Sequence, residues 1–135
     1  MLHRNFKSYL WFQAPAILWA AAIFIESAIP GRKIPPLPHG FDKVVHVSLY
    51  FIFCWLAHRA LKFQNVEWLS RISLFLAVVG TALYGFSDEY HQIFVPGRTA
   101  DVYDLLADVL GASAYLLILA VAEKRKRGKK FNPTV

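Results

Sequence analysis

The chain has 135 residues, of which 56% are hydrophobic and only 18% are charged, and its formal net charge is +6. Because soluble domains normally carry about a quarter charged residues, this composition favours a single membrane-embedded domain over a soluble one. The only cysteine, Cys54, excludes an intrachain disulfide and a cysteine-rich zinc site.

Four apolar segments predict membrane-spanning helices. They cover residues 10–29, 44–61, 69–86 and 105–122. Each is close to the length of about 20 residues that crosses a bilayer, and none carries the polar stripe that a soluble four-helix bundle needs. The basic start resembles a signal peptide, but the apolar run continues past Ala22, which favours an uncleaved span. We predict an all-α integral membrane bundle of about four transmembrane helices, forming one domain over residues 1–135.

The basic residues predict that both termini are cytoplasmic. If the spans alternate in direction, eleven of the fifteen Lys and Arg residues lie on the side of the termini: Arg4, Lys7, Arg59, Lys62, Arg71 and the six in the tail, 123–135. Short loops rich in Lys and Arg stay in the cytoplasm. A basic tail beside a spanning helix is expected to touch anionic lipid headgroups, so we do not expect it to bind nucleic acid.

The acidic residues have the opposite bias. Seven of the nine fall at or near the extracytoplasmic ends of the predicted spans: Glu26, Asp42, Asp88, Glu89, Asp101, Asp104 and Asp108. The positive-inside rule does not require this distribution, because Asp and Glu contribute little to it. The bias therefore indicates a polar site at that end of the bundle.

The start of the second span carries polar residues at helical spacing. Asp42, His46 and Tyr50 are four residues apart and share a face, which Lys43 adjoins. Asp42 is also the expected N-cap of this helix. We predict that this face lines the polar site.

The end of the third span and the loop after it are also polar. Asp88 and Gln92 share a helix face, with Glu89 beside them. The Pro-Gly pair within residues 95–98 predicts a type II turn with glycine at positive φ. Arg98 closes this turn and brings a cation to the same end of the bundle.

The start of the fourth span has the most informative pattern. Asp101, Asp104, Asp108 and Gly111 follow one helix stripe, and Thr99 or Asp101 is the expected N-cap. Asp108 lies about 10 Å along the helix from Asp101, at a rise of about 1.5 Å per residue. A carboxylate at the centre of a span costs about 2.5–3.5 kcal/mol, so such residues usually face the bundle interior and find partners there.

Two interpretations of these residues remain open at this point. They form either a polar pocket for a ligand or a structural network in which Asp42 and Asp101 cap helices. Capping does not explain Asp88 and Glu89, because acids near a helix C-terminus oppose the helix dipole.

We expect Arg98 to pair with one of three nearby acids, Asp88, Glu89 and Asp104.

Two stretches of the chain resemble the motifs of the VanZ-like family. They are residues 87–98, SDEYHQIFVPGR, and residues 42–46, DKVVH. The rest of the pattern is matched by Tyr50, Asp101, Asp104 and Gly111, so the resemblance covers nearly the whole chain. One departure is Asp108, which stands where the family usually has Asn.

The resemblance implies a bacterial multi-pass membrane protein, and the family's namesake is associated with teicoplanin resistance. Such a role implies action on the cell envelope or on its lipid-linked molecules at the outer leaflet. The resemblance implies a site without naming a reaction. The implied site residues are Lys43, His46, Asp88, Glu89, Gln92, Arg98 and Asp104.

Three functions are compatible with these residues. The first is binding or modulation of a lipid or a lipid-linked envelope precursor, with a phosphate held by Lys43 and Arg98. The second is a membrane enzyme acting on a lipid headgroup, such as a metal-assisted hydrolase or transferase, although HExxH, GxSxG and cysteine-nucleophile motifs are absent from the sequence. The third is a small lipid transporter, which would need a homo-oligomer because four spans are few.

The candidate catalytic residues are His46, Asp88, Glu89 and Asp104, and the candidate binding residues are Lys43, Tyr50, Gln92, Arg98 and Asp108. Imidazole and carboxylate groups also ligate divalent cations, but the sequence alone assigns neither a metal nor another cofactor. The expected partners are membrane lipids, and the expected location is the cell membrane.

Overall fold

The computed structural model describes residues 6–36, 38, 40–64 and 66–131. Arg4 and the last four residues of the basic tail lie outside this part of the chain. The helices are α1 (Phe6–Ser27), α2 (Phe41–Lys62), α3 (Glu67–Arg71), α4 (Ser73–Gln92) and α5 (Val102–Phe131), with a short 3-10 helix at Gly31–Lys33. No β-strand occurs in the described residues, so the predicted all-α fold is confirmed.

Within the described residues, three helical segments are long and apolar enough to cross a membrane: Lys7–Ser27, Phe41–Lys62 and Val102–Gly128. The fourth long helix, α4, has 20 residues, but its C-terminal part contains the charged pair Asp88 and Glu89. These charges lower the mean hydropathy of α4, so it is not among the helices that are apolar enough to cross a membrane by length and composition. The predicted count of four spans, like the predicted orientation, stays a prediction.

The helix bounds differ from the predicted spans by up to six residues at most ends, and two further differences change the description of the chain. The predicted third span, 69–86, is divided at Ile72, because residues 67–71 form the separate helix α3. An exposed ion pair between Arg71 and Glu67 (2.6 Å) lies within this short helix, and a hydrogen bond from the Ser70 hydroxyl to the Lys62 carbonyl oxygen connects it to the end of α2. The second difference is in α5, which continues as helix through the basic residues 124–127.

The interior of the bundle is made of small and polar side chains. α2 packs against α5, α4 and α1, and α4 also packs against α5. The buried stripe of α4 consists of Ser73, Ala77, Thr81, Gly85, Asp88, Glu89 and Gln92. Small residues are typical of helix interfaces in membranes, where close backbone approach replaces the hydrophobic driving force.

The exterior is apolar, as a lipid-facing surface requires. Large side chains are exposed on all four long helices, including Trp11, Phe75, Leu83, Leu110 and Leu117. Contiguous apolar surface of this kind marks a membrane or partner interface. Small residues lie inside the bundle and large apolar residues lie outside. Together with the long apolar helices, this distribution supports a membrane protein.

The loops at one end of the bundle contact each other. The amide of Gly31 donates to the carbonyl oxygen of Pro96 (3.1 Å), and a Cβ on Gly31 would overlap the carbonyl group of Gly97. Gly97 has φ 75° and the Arg98 amide donates to the Val95 carbonyl oxygen, which confirms the predicted type II turn. This contact fixes the α1–α2 loop beside the loop that leads into α5.

We expect Gly111→Ala to destabilise the bundle, because a Cβ there would overlap the Val47 carbonyl oxygen and lie 2.9 Å from the Phe51 amide nitrogen of α2. Overpacking of this kind costs about 1–3 kcal/mol. The matched control is Gly80→Ala on α4, where a Cβ meets nothing within 4 Å and should stabilise the helix by about 0.5–1 kcal/mol. Unfolding in mixed micelles measures both, and an equal effect of the two substitutions would contradict this packing.

The predicted orientation is testable with reporter fusions. We expect a reporter after residue 122 to be cytoplasmic and a reporter at Pro38 to be extracytoplasmic, because Lys and Arg are concentrated on the side of the termini. Each position is fused in turn to a reporter that is active only in the cytoplasm and to one that is active only outside it. The two positions should give opposite results. Readings from the same side would refute an even number of spans.

Candidate functional site

A group of charged residues lies where the start of α2, the end of α4 and the start of α5 meet. We call it the charged cluster, and it consists of Lys43, His46, Glu89, Asp101, Asp104 and Asp108. Helical periodicity brings these residues together, since Lys43 and His46 lie about one turn apart on α2 and the aspartates follow one stripe into α5. The side-chain exposure falls inward from 37% for Asp101 to 15% for Asp104 and 0% for Asp108.

Lys43 connects α2 to the start of α5 at the rim of the charged cluster. Its ammonium group lies 2.6 Å from Asp101 Oδ2 and 2.5 Å from Asp104 Oδ1. Asp42 is 3.1 Å from the same ammonium group. The prediction that Asp42 caps α2 is wrong, because the helix begins at Phe41 after Gly40, whose φ is 79°, and the N-cap makes no side-chain hydrogen bond.

His46 connects α2 to the interior of the charged cluster. Its Nδ1 is 2.8 Å from Asp108 Oδ1, and its Nε2 is 3.9 Å from Asp104 Oδ2. The ring of Tyr50 stacks parallel to the imidazole at 6.4 Å, and Tyr50 is fully buried. The predicted face of His46 and Tyr50 therefore points inward, with an imidazole held between two carboxylates.

Gly85 makes room for this arrangement on α4. A Cβ at this position would lie 2.7 Å from Asp108 Oδ2 and 3.2 Å from Tyr50 Cε1. Gly85 was not among the predicted site residues, although a glycine inside a helical pattern is a recognised signal of close packing. Any larger residue would displace the buried carboxylate of Asp108.

Glu89 joins α4 to the charged cluster. It is buried, and its Oε2 accepts a hydrogen bond of 2.8 Å from the amide of Asp101. Gln92 lies one turn further along α4 and donates to Asp88 Oδ2 at 3.3 Å and to Glu89 Oε1 at 3.5 Å. Asp88, Glu89 and Gln92 are thus buried together, as their helical spacing predicted.

Asp101 has two structural roles at the rim. Its Oδ1 accepts a hydrogen bond of 2.8 Å from the Tyr103 amide, which confirms the prediction that it caps α5. The hydrogen bond from the Lys43 ammonium group, followed by that from the Tyr103 amide, lowers the pKa of the Asp101 carboxyl. Asp101 is therefore an ionised partner of Lys43 at neutral pH.

Arg98 lies outside the charged cluster, which corrects the prediction that it pairs with Asp88, Glu89 or Asp104. Its Nη2 donates to Glu26 Oε1 (2.8 Å) and to the Glu26 carbonyl oxygen (3.0 Å), and its Nε donates to the Ile29 carbonyl oxygen (3.1 Å). The turn at 95–98 directs this side chain toward the end of α1. Arg98 therefore ties α1 to the loop, and Lys43 is the cation of the cluster.

A groove between the end of α4 and the start of α5 opens beside the charged cluster. It has a volume of about 170 Å³. Its lining is mostly apolar and comprises Phe86, Glu89, Tyr90, Ile93, Ala100, Asp101, Val102 and Leu105. The two acids of this lining belong to the charged cluster, so the apolar groove lies directly beside that cluster.

The sequence model described as VanZ/LLP1 matches residues 3–123 of this chain. The chain belongs to the VanZ/LLP1 family. The predicted resemblance is thereby confirmed, and every residue of the charged cluster lies within the VanZ/LLP1 region. The chain is also similar to an uncharacterized protein of Schizosaccharomyces pombe, with 30% identity over 112 residues that cover 80% of this chain and 67% of the yeast protein. None of the solved structures is a significant match.

We expect Arg98→Ala to destabilise this VanZ/LLP1 protein more than Glu26→Gln does. The Arg98 variant loses three hydrogen bonds, two of which end on backbone carbonyl oxygens, and bonds from charged donors contribute about 1.5–3 kcal/mol. The Glu26 side chain is 49% exposed, so losing its charge should cost less than about 1 kcal/mol. Unfolding in mixed micelles compares the two variants. Equal losses would mean that the ion pair, and not the backbone contacts, holds the turn.

Proposed function

We propose that this VanZ/LLP1 membrane protein binds the polar head of a lipid or lipid-linked envelope molecule at the charged cluster. The observation that carries the proposal is the groove between α4 and α5, in which apolar residues adjoin Glu89 and Asp101. A ligand with an apolar chain and a polar head matches both surfaces at once. The apolar residues around the groove are exposed. They would face the membrane, from which such a molecule would enter.

The charges of the cluster favour a particular kind of headgroup. Lys43 is the ammonium donor at the rim, with 30% of its side chain exposed, and it suits a phosphate oxygen. Ionised carboxylates only accept hydrogen bonds, so Glu89 and Asp104 suit hydroxyl or ammonium donors. We infer a headgroup that combines a phosphate with sugar hydroxyls or an amine. A simple anion would meet more carboxylates than cations.

The comparisons support a broad class of ligand. Teicoplanin resistance, associated with the family's namesake, would require a bacterial cell-wall precursor as the ligand. The similarity to a fission yeast protein instead favours a ligand whose recognised group is not confined to bacteria, such as a lipid-linked phosphate. A glycopeptide-resistance role for this chain is then one special case of headgroup binding.

A membrane enzyme is the second candidate, favoured by the contact between His46 and Asp108. A carboxylate hydrogen-bonded to one imidazole nitrogen orients the ring and supports its use as a general base through the other nitrogen. Here Nε2 of His46 lies 3.9 Å from Asp104 Oδ2, which is beyond hydrogen-bond distance, so this nitrogen is not engaged by that carboxylate. The same residues would then act on the bound headgroup, with Glu89 beside them.

We expect Leu105→Trp to reduce lipid binding, because it fills the groove between α4 and α5. The protein is placed in phosphatidylcholine vesicles with a phospholipid or a polyprenyl phosphate that carries a diazirine on its apolar chain. After irradiation, labelled peptides identified by mass spectrometry should come from the ends of α4 and α5. Leu106→Trp, on the next and more exposed residue of the same helix, is the matched control and should label like the native chain.

The headgroup contribution is tested in the same assay. Lys43→Gln should weaken labelling by both phosphate-bearing probes, whereas Lys62→Gln at the opposite end of α2 should not. Labelling spread evenly over the exposed helices, or unchanged by Leu105→Trp, would contradict the proposal. Release of the probe's headgroup by the native chain, and not by His46→Gln, would favour the enzyme over the binding protein.

A further inference from the structure

The interior of the charged cluster has more carboxylates than cations. Asp108 is fully buried and Glu89 is 5% exposed. Lys43 is engaged by Asp101 and Asp104 at the rim. Among the described residues, His46 is then the only basic side chain that contacts this interior pair. Buried charges are normally paired or bound to metals, so two carboxylates with one imidazole leave a negative charge to balance.

The same residues have the geometry of an incomplete coordination shell. His46, Glu89 and Asp108 each offer one ligand atom, and these atoms lie within 4.8 Å of one another. Two ligand atoms on opposite sides of a metal ion are about 4.0–4.6 Å apart, given bond lengths of about 2.0–2.3 Å. Shifts of less than about 1 Å would therefore bring all three to a common ion.

A second observation points to a bound group at this place. Within the part of the chain that the structure describes, Asp108 Oδ2 and the Tyr50 hydroxyl group are buried and have no hydrogen-bond partner. Both side chains are fully buried and both approach Gly85. Buried polar atoms are almost always satisfied in native proteins, so these two unsatisfied atoms, whose side chains both approach Gly85, call for an additional partner.

We propose that His46, Glu89 and Asp108 bind a divalent cation, and that its chemical class is Zn²⁺ or Mn²⁺ rather than Mg²⁺ or Ca²⁺. One imidazole and two carboxylates form a mixed nitrogen and oxygen ligand set, which suits Zn²⁺ and Mn²⁺. Mg²⁺ and Ca²⁺ prefer oxygen ligands alone. Three protein ligands leave at least one position of the ion open, as in catalytic zinc sites.

The cation would link the charged cluster to its ligand. It neutralises the interior carboxylates, and its open position accepts a phosphate oxygen of the headgroup. This role rests on the proposed function, because it assumes that a phosphate enters beside Glu89. Binding of the ion itself does not depend on that assumption and is measured without lipid.

The test is a titration of the full chain in mild detergent, after removal of the affinity tag and treatment with a chelator. We expect isothermal titration calorimetry to give one site for Zn²⁺ or Mn²⁺, and binding of Mg²⁺ and Ca²⁺ at least tenfold weaker. Asp108→Asn and Glu89→Gln should each weaken binding by about tenfold or more, since loss of even an outer-shell partner costs about 10–100-fold. Asp42→Asn removes one nearby charge without removing a ligand and should bind like the native chain.

A spectroscopic measurement of the bound ion shows whether His46 is a ligand, independently of any folding defect in the variants. With Mn²⁺ bound, electron spin echo modulation should show a directly coordinated imidazole nitrogen in the native chain and in Asp42→Asn, and His46→Gln should lack it. Absence of saturable binding, absence of the nitrogen signal, or equal affinities in Asp108→Asn and Asp42→Asn would overturn the proposal. In those cases Asp108 is neutralised by a proton instead.

The outcomes also separate this inference from the proposed function. Stoichiometric metal with no labelling of the groove would sustain the metal site and refute headgroup binding. Groove labelling that persists in Asp108→Asn, after that variant has lost its metal, would sustain headgroup binding and refute the bridging role of the cation.

Discussion

The hydrogen bond between His46 and Asp108 is the contact on which the arrangement of this bundle depends. Asp108 has no exposed side-chain surface, and a carboxylate without partners in such a place is strongly unfavourable. Its position fixes how closely the helices must approach. α4 has glycine at residue 85 so that the carboxylate fits, and α5 has glycine at residue 111, where its backbone meets Val47 and Phe51 of α2. A polar contact thus sets the packing of three helices.

The charged cluster has two parts with different physical roles. At the rim, Lys43 is shared by Asp101 and Asp104 while Asp101 caps α5, so these groups stabilise the start of a helix and are partly solvated. In the interior, Asp108 and Glu89 are buried, and among the described residues they have no fixed cation apart from the imidazole of His46. Rim pairs of this kind contribute modest stability. The interior pair is where a change of protonation or a bound ion would have large energetic consequences.

The sequence predicted those features that depend on local periodicity and turn chemistry. The stripe of aspartates in α5, the inward face of His46 and Tyr50, the cap by Asp101 and the turn at 95–98 all follow from residue spacing and backbone preference. The partner of Arg98 did not follow, because it depends on where α1 ends relative to a loop 69 residues later in the chain. The break at Ile72 was missed because residues 69–86 were treated as one apolar segment, although Ser70, Arg71 and Ser73 near its start are polar. The predicted roles of the site residues in binding or catalysis stay predictions.

Asp108 differs from the Asn that the resemblance leads one to expect, and this difference changes the chemistry of the interior. An amide is neutral and has its own donor and acceptor, so it can be satisfied by neighbouring dipoles. A carboxylate adds a charge and offers only acceptors when ionised. Among the described residues, neither the oxygen of Asp108 that faces Gly85 nor the Tyr50 hydroxyl group has a hydrogen-bond partner, so the two do not bond to each other. A water molecule placed between them would satisfy the geometry but not the charge, a proton on Asp108 would remove one of the two interior charges, and a divalent cation would balance the carboxylates of both Asp108 and Glu89.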